Sequence, residues 1–347
     1  MNQELIPLPS PSLSYPGPDT VPALFTAAGE RAAYRVIEFF TAGIRNPHTR
    51  AAYSLAVRRF AVWCEHHQLR LEQLGPVHVA AYIEQLGKEK KEGRGGLSKP
   101  SVKQHLAALR MLFDWLVVGQ VLPSNPAAAV RGPKYVVKTG KTPVLTAQEA
   151  RQLLASIDHR HDEEGRFEPV PAEELSLATL RDRALIGVMV YSFARVSAVL
   201  AMNVEDYCQR GKRWWLRLHE KGGKHHEVPA HHKAEEYLDA YVTAAGITGE
   251  KRTPLFRTLD RRGRLTTGRL GRREALAMIK RRARAAGLGE DICCHTFRAT
   301  GITVYLESGG TVEKAQAIAC HESPRTTKLY DRTSDQLTLD EIEKIQI

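Results

Sequence analysis

Arg131–Pro143, reading RGPKYVVKTGKTP, separates two hydrophobic rhythms in this chain and so decides how many cores it can build. The segment is poor in apolar residues and rich in Pro, Gly and Lys, the composition of a linker between folded units. Before it, apolar residues recur at helical spacing. Beyond it, helical runs are interrupted by a stretch that alternates as strands do. With 347 residues and 43% apolar content there is material for two ordinary cores. The expected fold is mainly α with a small β-sheet. An all-helical N-terminal domain covers 41–130, a linker 131–143, and a mixed α+β domain 144–334. Residues 1–40 read as a flexible tail with a possible helix, and 335–347 as a C-terminal tail.

The helical half is signalled by caps and periodicity. Residues 1–22 are rich in Pro and Ser and show no period, whereas Pro22–Phe40 has room for one helix. Asn46–Pro47 is a helix start: the Asn side chain can accept from free N–H groups, and Pro lacks the one that would go unpaired. Tyr53, Leu55, Ala56, Phe60 and Trp63 follow as an apolar stripe, with Arg50, Arg58 and Arg59 off it. A second helix is expected near Val77–Leu86. A third runs from Ser101 to Val118 and buries Val102, Leu106, Leu109, Leu112, Phe113 and Leu116. Lys88–Lys99 is basic and Gly-rich, hence a loop, and Asn125–Pro126 signals a short further helix.

Past the linker, Thr146-Ala147-Gln148-Glu149 is a capping box before an apolar helix. Asp158–Glu174, acidic and His-rich, reads as a loop or insertion. Thr179–Phe193 is a buried helix with Leu185, Ile186, Val188, Met189 and Val190 as its core run. Arg213–Leu218 alternates as a strand, and Glu220–Pro229 turns at Gly222–Gly223 and returns, giving a hairpin. After His232 the chain reads as mostly helical. Asp335–Ile347 carries Leu337, Leu339, Ile342 and Ile345 as an amphipathic stripe.

A formal charge of +11 favours a polyanionic partner, nucleic acid first and an anionic membrane surface second. No apolar run is long enough to span a bilayer and no secretory leader pattern is visible, so no membrane partner and a cytoplasmic location are expected. The five cysteines are odd in number and lack CxxC spacing, which points to reduced thiols. Aromatic content of 7% argues against a single-strand binder that works by stacking.

Chemistry-bearing residues crowd into Cys294–Arg332, CHTFRATGITVYLESGGTVEKAQAIACHESPRTTKLYDR. His295 and Arg298 fall on one face of a helix. Gly309–Gly310 break the chain, a second helical run ends at Cys320–His321, and Ser323–Pro324 starts a short third segment leading to Tyr330. Such a set suits convergence on one phosphate, with cations and donors for its oxygens and a phenol to attack it. Taken singly, each residue has a plainer explanation. An arginine at a helix boundary, like Arg195, is most often solvated; a hairpin lysine, like Lys221 or Lys224, serves solubility; a lone tyrosine is usually packed. Cys293, Cys294, His295, Cys320 and His321 match no common zinc spacing, so no metal is expected. His219, His225, His226, His231 and His232 form a second patch that a hairpin with exposed histidines explains, with phosphate-backbone contacts as the alternative.

The pattern H-x-x-R, then C-H, then T-T-K-L-Y resembles the catalytic end of the tyrosine recombinases, the phage-integrase and Xer type of site-specific recombinase. HTRAAYSLAVRRFAVW and SVKQHLAALRMLFDW resemble that family's helical core-binding, SAM-like domain, and the likeness extends over about residues 45–335. The resemblance implies a site-specific recombinase (integrase) that cuts and rejoins double-stranded DNA through a covalent 3′-phosphotyrosine. It implies no cofactor, a homotetramer on a specific recombination site, an accessory recombination protein as a further partner, and two domains clamping the duplex. It makes Arg195, in an Arg-x-Ser block, and Arg298 the forks on the phosphate oxygens. Lys221, ahead of Val228–Pro229, becomes the general acid for the departing 5′ oxygen, with Lys224 its nearest competitor. His295 and His321 hydrogen-bond the phosphate and manage protons, and Tyr330 is the nucleophile. One departure stands out: the family usually has an acidic residue where this chain has Ala198, which leaves open how the cluster is oriented. Two alternatives share parts of this picture: a type IB topoisomerase-like nicking enzyme and a catalytically inactive DNA-binding accessory protein.

Overall fold

The structure, a computed structural model, describes residues 21–88, 96–136, 140, 142–161, 167–171, 174–220 and 223–331. Two units divide the chain, Met1–Val136 and Val137–Ile347, each with its own apolar core. Most of the expected N-terminal tail, the middle of the Lys88–Lys99 loop and the closing tail lie outside the described residues.

In the first unit, the stretch expected to hold one helix holds two, α1 (Ala23–Thr26) and α2 (Glu30–Glu38). Gly29 separates them with a φ of 103°, a conformation that ends regular winding and that side chains rarely adopt. A π-helical turn, Phe39–Gly43, continues α2. Helix α3 (Pro47–His66) begins where the Asn46 side chain accepts from the N–H groups of His48 and Thr49 at 2.9 and 3.2 Å. Helices α4 (Pro76–Lys88) and α5 (Lys99–Val118) complete the bundle, and all six residues assigned to the inner side of α5 are buried. Phe60 contacts Trp63, Tyr82 and Phe113 with ring centroids 6.1, 5.0 and 5.9 Å away, an aromatic centre common to three helices.

Two expectations are corrected here. Leu55 is 65% exposed, because it sits about 100° round the helix from the buried Ala56. No helix follows Asn125–Pro126. The Asn125 amide donates to the Arg110 carbonyl at 3.1 Å and its oxygen accepts from the Ala127 N–H at 2.8 Å, while Arg110 itself reaches the carbonyls of Ala127 and Val130. Side chains thus take the backbone groups that a helix would have paired.

The second unit is mainly helical with three small antiparallel sheets among the described residues. Helix α6 (Ala147–Asp158) carries the expected capping box, the Glu149 N–H donating to the Thr146 hydroxyl at 3.1 Å and the Thr146 N–H to the Glu149 carboxylate at 2.7 Å. Within the segment read as a loop, β1 (His159–His161) pairs with β2 (Phe167–Pro169). A polar extended segment satisfies its backbone by pairing with itself, and no apolar alternation announces it.

Helix α7 (Leu177–Ser192) is the central element. Leu185, Ile186, Val188 and Met189 are fully buried on it. After α8 (Val196–Ala201) come β3 (Tyr207–Arg210), β4 (Arg213–His219) and β5 (His225–Pro229), in the sheet order β3-β4-β5, with His219 opposite His225 at the turn end. Helix α9 (His232–Ala245) packs on α7. The continuation is mostly helical, as expected, with one hairpin set into it, β6 (Arg257–Leu259) and β7 (Leu265–Arg269). Its turn is built by Asp260, whose carboxylate accepts from the N–H groups of Arg262 and Arg264 at 2.8 and 2.9 Å.

Helices α10 (Arg272–Ala285), α11 (Cys294–Glu307), α12 (Val312–Ile318) and α13 (Pro324–Lys328) close the unit. Asp182, fully buried on α7, is met by Arg181 at 2.9 Å and by Arg282 and Arg281 of α10 at 3.0 and 3.4 Å, which fixes α10 against α7. Helix α11 lies against α7 so closely that a Cβ on Gly301 would sit 2.1 Å from the Val190 carbonyl oxygen.

Candidate active site

Helix α11 carries the first half of the site. His295 lies in its first turn and Arg298 one turn on, as their spacing predicts. Arg298 is 1% exposed, with one Nη donating to the Phe193 carbonyl and the other to the Ala319 carbonyl at 2.6 Å. Those acceptors are available because two helices end abruptly. Phe193 takes a left-handed φ of 54° after α7, and Cys320 a φ of 48° just past α12. A side chain in that region costs roughly 1 kcal/mol. The Phe193 ring offsets it by packing in a small core with Ala299, Ile302, Leu306, Ala319 and Tyr330. Arg298 Nε has no acceptor among the described residues.

The second half comes from α12 and α13. His321 follows α12, and its Nδ1 lies 2.9 Å from the hydroxyl of the fully buried Thr327. Tyr330, two residues beyond α13, places its hydroxyl 2.7 Å from His295 Nε2. Its ring lies nearly parallel to that of His321, at 7° with centroids 5.8 Å apart. The backbone here is fastened from two sides: the Thr303 hydroxyl of α11 donates to the Tyr330 carbonyl at 2.8 Å, and the Gly140 N–H donates to the Leu329 carbonyl at 3.0 Å.

Burial and the arginine charges set the protonation states. His295 is held below its ordinary value by burial first, then by Arg298 and Arg195. The same causes push His321 down to about 3, so both rings are neutral at physiological pH. Burial, with Arg195 adding to it, brings Arg298 down to about 10, which leaves it charged at neutral pH; Glu220 acts the other way. Burial raises the Tyr330 phenol, while Arg298 and Arg195 pull toward phenolate.

Arg195 forms the N-terminal boundary of α8, and a carboxylate does reach it. Its Nη1 pairs with Glu220, at the end of β4, whose side chain is only 3% exposed. Ala198, by contrast, is 1% exposed within the apolar core. Arg195, His295, Arg298, His321 and Tyr330 are therefore gathered in one cluster, whereas Lys221 lies outside the described residues. Lys224 is at the rim, its Nζ 3.1 Å from the exposed carboxylate of Glu322. The hairpin is docked on α12 through His226, whose Nε2 lies 2.9 Å from the Ile318 carbonyl oxygen. Sequence reasoning missed Glu220 and Thr327; the available signals were a carboxylate directly before the Lys221 turn and the second threonine of T-T-K-L-Y. Among the described residues, no group of three or more His, Cys, Asp or Glu side chains gathers as a metal site.

A neutral imidazole touching a phenol, beside two guanidinium groups, is equipped to deprotonate that phenol and to stabilise charge on a phosphate. Comparison with known proteins agrees in kind. Residues 35–121 match the phage integrase N-terminal SAM-like domain. The tyrosine recombinase XerD of Corynebacterium glutamicum is 28% identical over 294 residues, 84% of this chain and 89% of that protein. The fold is shared with the XerH site-specific recombinase in its pre-cleavage complex with difH substrate (TM-score 0.61, 19% identity, covering 85% of this chain and 78% of that one). It is shared also with a lambda integrase dimer bound to a COC′ core site (TM-score 0.61, 20% identity, covering 89% and 79%). Since residues 143–336, more than half of its length and the whole of the cluster, match the phage integrase family, the chain belongs to that family of tyrosine recombinases.

Proposed function

We propose that this protein is a site-specific DNA recombinase in which Tyr330 is the nucleophile. The observation that carries this is the 2.7 Å contact between the Tyr330 hydroxyl and the neutral His295 Nε2, next to Arg298. The Tyr330 oxygen attacks the scissile phosphorus, the new P–O bond forms, and the bond to the 5′ oxygen breaks. The phenolic proton passes to His295 Nε2, and Lys221 is the candidate to protonate the departing 5′ oxygen. Arg195 and Arg298 take the charge that builds on the non-bridging oxygens, an effect worth roughly 3–4 kcal/mol per well-placed donor. Attack by a 5′-hydroxyl from the partner duplex reverses the step, and the phosphodiester energy kept in the phosphotyrosine suffices for rejoining.

Residues 41–130 would hold the duplex and 144–334 perform the chemistry. Each strand exchanged uses one Tyr330, so recombining both strands of two duplexes calls for a homotetramer on DNA, with an accessory recombination protein as a further partner. Such work places the protein in the cytoplasm, at the nucleoid.

The test uses a duplex enriched from a randomised pool by binding to the protein, then nicked so that cleavage traps the covalent intermediate. Wild-type protein should give a slow-migrating adduct on a denaturing gel. Tyr330→Phe should give none while keeping its DNA affinity, since it loses one oxygen and one hydrogen bond of about 1 kcal/mol. An adduct that persists in the Phe variant would assign the nucleophile elsewhere.

A further inference from the structure

We propose that Glu220 is the positioning residue of this site: its buried carboxylate holds the Arg195 fork in the orientation that meets the scissile phosphate. The proposal rests on the strand-transfer function above. Arg195 leaves the chain at the start of α8, is 35% exposed along its side chain, and has a long stem with many rotamers. Left alone, it would sample most of them. Glu220 has the opposite character. Its side chain is 3% exposed, and a carboxylate so placed is tolerated only when it is paired. Its backbone is fixed as well, because its N–H donates to the Lys224 carbonyl at 2.8 Å just beyond the His219–His225 pair that ends the β4–β5 ladder.

The ion pair uses Nη1 of Arg195, which leaves the remaining N–H groups of the fork for phosphate oxygens. The same carboxylate is felt at Arg298, where it opposes the repulsion between the two guanidinium groups. Ala198, one turn along α8, is apolar and packed in the core, so α8 itself offers Arg195 no carboxylate there. The hairpin supplies it instead. Lys221, the candidate general acid, is the next residue in the sequence.

Full-length Glu220→Gln and Glu220→Ala are compared with wild type on the nicked duplex, with DNA binding and single-turnover cleavage at saturating protein measured separately. Glu220→Ala should cut more slowly, by about a hundredfold, the cost of misplacing a catalytic group by an ångström. Its DNA affinity should stay within about threefold, since positioning acts on the rate. Glu220→Gln keeps the shape and one acceptor oxygen, so it should recover part of the rate. With the carboxylate charge gone, the rise of its rate with pH should move to lower pH, because the arginines then favour phenolate more strongly. Cleavage within twofold of wild type in both variants overturns the proposal. So does an equal loss in both with an unmoved pH profile, which marks a merely structural role. If Glu220→Ala does not fold, the near-isosteric Gln variant decides by the same pH readout. Failure of the wild type to form any adduct would overturn the recombinase reading itself, an outcome distinct from either.

Discussion

His321 shows what the cluster demands of single residues. Burial comes first among the causes that take its pKa from an ordinary 6.5 to about 3, and Arg298, Arg195 and His295 add to it. The Thr327 hydroxyl, 2.9 Å from its Nδ1, and the Tyr330 ring lying nearly parallel to it bring no negative charge to counter this. In the unfolded chain the ring takes a proton near its ordinary value, so between about 6.5 and 3 the unfolded state binds more protons than the folded one. Stability is therefore level above that window with respect to this group and falls as pH drops through it, by up to about 1.4 kcal/mol per pH unit. Urea unfolding followed across this range should show a shallower acid loss for His321→Gln than for wild type. Equal slopes would mean that His321 is not held neutral. The residue types were legible from the sequence because H-x-x-R is a helical spacing and T-T-K-L-Y ends at a single tyrosine. Their neutral protonation states were not, since these arise from burial among arginines delivered by other elements. Nor was the Glu220 partnership, which joins positions 25 residues apart.

At the scale of elements, what sequence can show depends on where the satisfying groups lie. Helices α3 and α6 announced themselves through local caps, and α5 and α7 through their apolar residues alone; the chains of all four satisfy most of their own backbone. The pairs β1–β2 and β6–β7 are short and polar, so no alternation marks them; the partner strand supplies their stability and no local signal does. The missing helix after Asn125 belongs to the same class, since Arg110 on α5 decides it from a distance. The contact of α11 with α7 is the consequential one for the site. Phe193 ends α7 and accepts from Arg298 of α11, so the spacing of these two helices positions the guanidinium. Gly301 permits that spacing, because a Cβ there would meet the Val190 carbonyl at 2.1 Å and the Phe193 ring at 2.7 Å. Backbone cannot yield as a flexible side chain does. Gly301→Ala should therefore cost about 1–3 kcal/mol or more, as overpacking does in a filled core. Cleavage should fall beyond what the lost stability explains. Thermal unfolding and single-turnover cleavage together check this; a variant melting as wild type does would mean that the helices are not in contact at this point.

Across the whole molecule, charge acts in two regimes that one experiment can separate. The net +11 is mostly surface charge, and a duplex met by such a surface is held through its phosphates, each neutralised phosphate releasing counterions. Between 50 and 200 mM salt, roughly six such contacts would weaken binding by about 10³. A selected duplex and an unrelated one should follow nearly the same slope, because the phosphates carry no sequence. The cluster around Tyr330 lies in the other regime. Arg298 and His321 are almost fully buried, so mobile ions reach them poorly and screen them little. Raising salt should then weaken affinity steeply while the single-turnover cleavage rate, measured at protein concentrations that keep the nicked duplex saturated, changes by less than about threefold. A cleavage rate that falls in step with affinity would place Arg298 in open solvent and contradict its buried geometry. A binding constant indifferent to salt would remove the phosphate backbone as the main contact.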